Sequence, residues 1–149
     1  MLGWVGLFAG IGAAGTWLAR RYALHRQLID QPGERRSHTE ATPRGGGIAI
    51  VVALLIAAVA LGLRQPLDAP LLAAFVVGLV MVAGIGWLDD HRPLSPWWRL
   101  LVHGRASALF ALAAGSVFDS PLLGVGAFVA TMVLTNVWNF MDGINGIAA

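Results

Sequence analysis

The chain has 149 residues, of which 57% are hydrophobic and 12% charged, with a formal net charge of +2. Soluble domains have about a quarter charged residues, and the apolar excess here falls in long uncharged runs, which predicts a membrane protein. The absence of cysteine excludes disulfides and thiolate chemistry, and the absence of lysine excludes a P-loop lysine and Schiff-base catalysis within this chain. Nucleic-acid binding is disfavoured, because the arginines lie between the apolar runs rather than along one soluble face.

Five apolar segments predict an all-α membrane protein, a polytopic helical bundle of about five transmembrane helices. A helix rises about 1.5 Å per residue and must cross about 30 Å of hydrocarbon, which takes about 20 residues. The fourth segment is the weakest, because Ala106–Phe118 is too short alone and must borrow Leu100–Arg105, where His103 and Arg105 are expected to reach the membrane interface. The predicted spans are residues 1–19, 45–63, 69–88, 100–118 and 122–139.

The arginines predict the orientation of these spans. Nine of the ten lie in residues 20–44 and 89–105, whereas Arg64 alone lies in the turn after the second span. Cytoplasmic loops carry the excess of basic residues, so the N-terminus is expected outside and residue 149 in the cytoplasm.

Two adjacent carboxylates, Asp89 and Asp90, follow the third span directly. Their mutual repulsion at a membrane edge would be relieved by a divalent cation, and hard oxygen ligands suit Mg²⁺. The alternative is a solvated pair that ends the helix, since charges at the ends of spans are common.

A second polar cluster lies at the end of the fifth span, where Asn136, Asn139, Asp142 and Asn145 recur at every third position. On a helix this spacing keeps neighbours near one face. Such a face can bind a metal, a nucleotide base or a phosphate. The alternative is hydrogen bonding between transmembrane helices.

A glycine motif, residues 43–47, places Arg44 and three glycines at the start of the second span. Backbone N–H groups at a helix start, together with arginine, make an anion site plausible, although for the glycine run by itself a structural turn is the more common explanation. Paired carboxylates, amides, arginines and glycines on one side of a membrane suit phosphoryl transfer, in which positioning and charge neutralisation do most of the catalysis.

The three motifs resemble those of the polyprenyl-phosphate N-acetylhexosamine-1-phosphate transferases, also called glycosyltransferase family 4. The matching text is DQPGERRSHTEATPRGGGIAI, GWLDDHRPLSPWWRL and NVWNFMDGINGIA. The first and third look most like the bacterial branch that primes the lipid carriers of O-antigen in lipopolysaccharide and cell envelope synthesis. The resemblance covers essentially the whole of residues 1–149, but these look like only the N-terminal portion of a single, apparently truncated, polytopic transferase domain.

The resemblance implies a magnesium-dependent enzyme of the bacterial inner membrane that crosses it several times, with Mn²⁺ as an alternative metal. Its substrates are undecaprenyl phosphate and a UDP-N-acetylhexosamine. The lipid phosphate attacks the sugar-linked phosphorus, and UMP leaves. The sugar is not specified by the resemblance, and the formation of a homo-oligomer is left open.

Site residues carry over by position. Asp89 and Asp90 match paired catalytic aspartates that handle Mg²⁺ or deprotonate the lipid phosphate, and Asn139 matches an amide that approaches the metal. Gly104 and Arg105 depart from the family's pattern at the start of the fourth span. The positions that match substrate-binding residues are Arg44, Gly45 and Gly46, which border the nucleotide, Arg99 near the phosphates, Asp142 in the nucleotide site, and Asn145 near the uridine.

Two other classes of membrane protein share part of this pattern. A fragment of a polytopic transporter would also carry polar residues in spans, but its acids are expected near the midplane rather than at the cytoplasmic ends. A CDP-alcohol phosphotransferase also uses an Asp-Gly motif, but its characteristic following residues are missing here. Because later loops of the transferases have no counterpart in this chain, the isolated chain is expected to be inactive.

Overall fold

The computed structural model describes residues 2–30, 42–43, 45–64 and 68–141, and within these residues it contains five helices and one pair of two-residue strands. The strands pair antiparallel, with Ile29 opposite Pro43. The elements in chain order are α1 Leu2–His25, β1 Ile29–Asp30, β2 Thr42–Pro43, α2 Ile48–Arg64, α3 Ala69–His91, α4 Pro96–Val117 and α5 Pro121–Met141.

Each predicted apolar segment contains a helix, but the helices extend beyond the uncharged runs. α1 continues past Arg20 and Arg21 to His25. α4 begins at Pro96, where proline's fixed φ and missing N–H suit the first helical turn. It continues as a regular helix through Gly104 and Arg105, so the departure from the family's pattern at these two residues does not disturb its start.

Consecutive helices pack against each other, and the contacts between them show that they alternate in direction. At one end, Arg64 at the close of α2 lies over the ring of Trp4 at the start of α1, 4.6 Å from its centroid. At the other end, Tyr22 of α1 contacts His91 of α3. The end of α1, the start of α2, the end of α3, the start of α4 and the end of α5 therefore lie at one end of the bundle, which we call the site end.

The helix interfaces are built from small residues, and the large apolar side chains point outwards. Leu112 and Leu122, for example, are 72% and 82% exposed. Soluble proteins bury their large apolar side chains, whereas membrane helices pack through small residues and present large ones to lipid. The buried apolar side chains among the described residues are all alanines: Ala23, Ala49, Ala58, Ala74, Ala106, Ala111 and Ala114.

Two of the described helices, α3 and α4, are long and apolar enough to cross a membrane. α2 and the 121–137 part of α5 are also apolar but shorter. The predicted helical bundle is therefore confirmed for the described residues and is consistent with a membrane protein, whereas the number of spans and their orientation remain predictions.

Candidate functional site

The aspartate pair lies in the last turn of α3, and Asp89 is held there by two contacts. Its Oδ1 accepts a hydrogen bond of 2.9 Å from the backbone N–H of Leu94, in the loop between α3 and α4. Its Oδ2 lies 3.3 Å from Nη1 of Arg99, in the first turn of α4. The carboxylate therefore fixes the corner between the two helices, and Arg99 compensates its charge.

Arg99 has donors to spare in this arrangement. Its side chain is 30% exposed, and its Nε is buried with no hydrogen-bond partner among the described residues. A guanidinium carries five N–H donors in a planar fork that matches phosphate oxygens. Arg99 can therefore keep its contact with Asp89 while its remaining donors bind an anion.

The donor set at this end suits a hard cation only in part. Asp89 and the half-buried Asp90 supply adjacent carboxylates, which are the ligands Mg²⁺ prefers. Within the described residues, no group of three or more histidine, cysteine or acidic side chains converges on one point. A metal bound by Asp89 would share its oxygens with Leu94 and Arg99, and would need a further ligand from elsewhere.

The same corner is tied to α1 by a histidine that the motifs did not single out. His91 Nδ1 lies 2.8 Å from the carbonyl oxygen of Trp87, to which it donates, and its Nε2 lies 3.0 Å from the hydroxyl of Tyr22. Since Nδ1 carries the proton, Nε2 accepts from the Tyr22 hydroxyl. This bond joins the end of α1 to the residue that follows the aspartate pair.

His103 was expected at the membrane interface, and that expectation was wrong: it is 4% exposed and packs between helices. Its Nδ1 lies 3.3 Å from Oδ1 of Asn136 on α5. The bond joins α4 to α5, and Asn136 also donates its Nδ2 to the carbonyl oxygen of Met132 within α5. For Asn136, the structure therefore supports the alternative of hydrogen bonding between helices.

The glycine motif precedes α2, as expected. Gly45 has φ of +91°, a conformation that residues with a side chain rarely adopt, and the carbonyls of residues 45–47 accept the first hydrogen bonds of the helix. β2, directly before it, contacts α1. Gly45 and Gly46 therefore lie at the site end, while Arg44 lies outside the described residues.

The structure thus brings Asp89 into contact with Arg99. Both residues lie in the motif GWLDDHRPLSPWWRL, and the resemblance implies a different role for each. Asn139 lies in the last turn of α5, but its side chain is outside the described part of the chain, as are Asp142 and Asn145. Sequence reasoning missed His91, Tyr22 and the role of His103. A signal for His103 was present, since it follows Arg99 by four residues and so shares its side of α4.

Comparisons with known proteins point to one family. Residues 72–149 match the model of glycosyl transferase family 4. The chain is 29% identical over 147 residues to a probable undecaprenyl-phosphate N-acetylglucosaminyl 1-phosphate transferase of Bacillus subtilis, covering 90% of this chain and 40% of that protein. It is 32% identical over 155 residues to a decaprenyl-phosphate N-acetylglucosaminephosphotransferase of Mycobacterium leprae, covering 90% and 38%.

A relative from Thermotoga maritima, an undecaprenyl-phosphate alpha-N-acetylglucosaminyl 1-phosphate transferase, is 28% identical over 129 residues, covering 85% of this chain and 40% of that protein. The chain thus spans about two fifths of the length of these relatives. No solved structure matches it.

Proposed function

The chain belongs to glycosyl transferase family 4, as its three motifs predicted, and on this premise we propose that it forms part of an enzyme that transfers N-acetylhexosamine 1-phosphate from a UDP-sugar to undecaprenyl phosphate. An oxygen of the lipid phosphate forms a bond to the sugar-linked phosphorus, and the bond from that phosphorus to the bridging oxygen breaks. UMP leaves with the bridging oxygen, and the product is a lipid diphosphate that carries the sugar.

The observation that carries this proposal is the ion pair between Asp89 and Arg99. Phosphoryl transfer between two anionic substrates needs cationic donors at the phosphates and carboxylates close by, either to hold a metal or to take a proton. The pair places a cationic donor and a carboxylate side by side at the corner between α3 and α4. The Arg99 side chain is 30% exposed, so the guanidinium N–H donors that do not contact Asp89 are candidates to bind the phosphates of the UDP-sugar.

The remaining roles follow from position. Mg²⁺, held by Asp89 and Asp90 with Asn139 as a further ligand, would neutralise the phosphates during transfer. The two carboxylates either hold this metal or take the proton of the lipid phosphate. Gly45 and Gly46, together with Arg44, border the nucleotide, and Asp142 and Asn145 bind its uridine part.

The proposed lipid substrate and the outward-facing apolar side chains both support a reaction at a membrane. We propose the bacterial inner membrane, with five spans and the site end facing the cytoplasm, where UDP-sugars are available. The product would then start the lipid-linked synthesis of an O-antigen or another envelope polysaccharide. Membrane lipid is the surrounding partner, and nucleic acid is not one.

The test measures UMP. The extended protein, meaning this chain continued by the part of the B. subtilis relative that lies beyond the region it matches, is reconstituted with UDP-N-acetylglucosamine, undecaprenyl phosphate and Mg²⁺. We expect UMP release that stops when either the lipid phosphate or Mg²⁺ is omitted, and no release from the 149 residues alone. UMP release without the lipid phosphate would indicate hydrolysis and contradict the proposal.

A further inference from the structure

The start of α4 carries two polar cross-links that are one helical turn apart. Arg99 binds Asp89 on α3, and His103 binds Asn136 on α5. Residues four apart lie on the same side of a helix, one above the other. α4 therefore connects the helix that carries the aspartate pair to the helix that leads into the third motif.

The hydrogen bond from His103 has a defined direction. Asn136 Nδ2 donates to the carbonyl oxygen of Met132 at 2.8 Å, which turns Oδ1 of the amide towards α4. An amide oxygen only accepts, so His103 Nδ1 donates to it at 3.3 Å. At 4% exposure the His103 ring has no competing solvent, and loss of this partner would leave a buried polar group unsatisfied.

Near the turn that joins α4 and α5, small residues let the two helices approach closely. Gly124 of α5 lies against the backbone of Ala111 and Gly115 on α4, close to the turn that joins the two helices. Alanine and glycine surfaces allow close approach but have few features that prevent sliding or rotation. The bond between His103 and Asn136 lies far from that turn, near the site end, and is directional.

We infer that His103 is a positioning residue: its bond to Asn136 sets the register of α5, and thereby the distance of the described end of α5 from Asp89. Asn139 follows Asn136 by less than one turn, so a shift of one displaces the other. The inference rests on the proposed function, since it takes the residues beyond Asn136 to belong to the same site as Asp89.

The test measures two distances by pulsed electron paramagnetic resonance in this chain, reconstituted in lipid. Because the sequence contains no cysteine, spin labels can be attached only at introduced positions. One labelled pair, Leu88→Cys with Val137→Cys, reports the approach of α5 to α3 at the site end. The second, Leu112→Cys with Val125→Cys, reports the turn end of α4 and α5, and all four positions are exposed.

His103→Leu should shift the site-end distance by roughly 2 Å, the scale of helix shifts at interfaces, or visibly broaden its distribution, while the turn-end distance stays unchanged. His103→Asn should restore the original distance, because its Nδ2 occupies the position of the histidine Nδ1. Asn136→Leu should reproduce the shift without adding to it in the double variant. The matched control is Ser107→Ala. Ser107 is as buried as His103 and lies one turn further along α4, and its replacement should change neither distance.

An unchanged site-end distance in His103→Leu would overturn the inference. So would equal changes at both ends, which indicate general loosening, or a failure of His103→Asn to restore the distance. None of these measurements involves nucleotide or lipid phosphate. A negative result therefore leaves the proposed reaction untouched, and an absence of UMP release in the extended protein leaves this inference untouched.

Discussion

Asp89 and Asp90 are adjacent carboxylates at the end of α3, so their negative charges repel each other. Asp89 is compensated by Arg99 and by the N–H of Leu94. These contacts hold it in place while lowering the negative charge that it offers to a cation. Asp90 is next in sequence and half-buried, so a metal at this corner would draw on both side chains.

Replacing either carboxylate by its amide should reduce turnover in the extended protein by at least about a hundredfold, because charge stabilisation borne by a metal is worth several kcal/mol. The variants are Asp89→Asn and Asp90→Asn, with the rate of UMP release at saturating substrates as the measurement. Asp119→Asn is the matched control. Asp119 is exposed at the opposite end of the bundle, and its φ of 45° is one that asparagine tolerates, so its rate should stay near wild type.

Near-normal turnover in both Asp89→Asn and Asp90→Asn would return the pair to the alternative of a solvated helix end. The site would then have to be sought elsewhere at the same end of the bundle.

Residue types were easier to predict than their partners. Asp89, Asp90 and Arg99 stood out because charges at the ends of apolar runs are costly and few. The sequence contains no local signal that pairs Arg99 with Asp89, or His103 with Asn136. Those pairings depend on which sides of α3, α4 and α5 face each other, and that is a property of packing.

At the scale of the helix, it is difficult to predict which side contacts a neighbouring helix, because apolar residues surround the whole circumference. α3 is apolar on every side, so its sequence predicts a span without showing which side contacts α4. The small residues give a better guide, since Gly78 of α3 lies against Ala106 of α4 and Gly115 lies against Gly124. Helix ends were predicted less well than helix centres, because the helices extend beyond the uncharged runs. α1 continues past Arg20 and Arg21, and α4 begins already at Pro96.

Gly124→Ala should destabilise the pairing of α4 and α5. A Cβ at this position would lie 3.1 Å from the carbonyl oxygen of Ala111 and 3.3 Å from Cα of Gly115, and backbone cannot move aside as a side chain can. Overpacking of this kind costs about 1–3 kcal/mol. The measurement is the free energy of unfolding in mixed detergent micelles.

The matched control is Gly126→Ala on the same helix, where an added Cβ meets nothing within 4 Å. Both changes gain the same helix propensity, about 1 kcal/mol, so their difference isolates the steric term. Equal stabilities for the two variants would contradict the close contact between the helices.

At the scale of the whole molecule, the alternation of helix direction brings distant parts of the sequence together. The glycine motif, the aspartate pair and the end of α5 are far apart in the chain, yet they lie at the site end because each borders a helix terminus on that side. Counting the spans from the sequence was enough to predict this gathering. What it could not predict is how closely the three motifs approach one another, because that depends on helix tilt and register.

The side of the membrane that the site end faces is testable with single cysteines, since the natural sequence has none. Ser95→Cys lies in the loop between α3 and α4, whereas Asp68→Cys and Phe118→Cys lie at the opposite end, and all three residues are exposed. The arginine bias predicts that Ser95 faces the cytoplasm, because basic segments resist translocation. In intact spheroplasts, a thiol reagent that does not cross membranes should label positions 68 and 118 but not 95, and permeabilisation should expose 95. Labelling of both 95 and 68 in intact cells would contradict the alternation of helix direction. Labelling of 95 alone would show that the bundle has the opposite orientation, with the aspartates facing away from any cytoplasmic nucleotide.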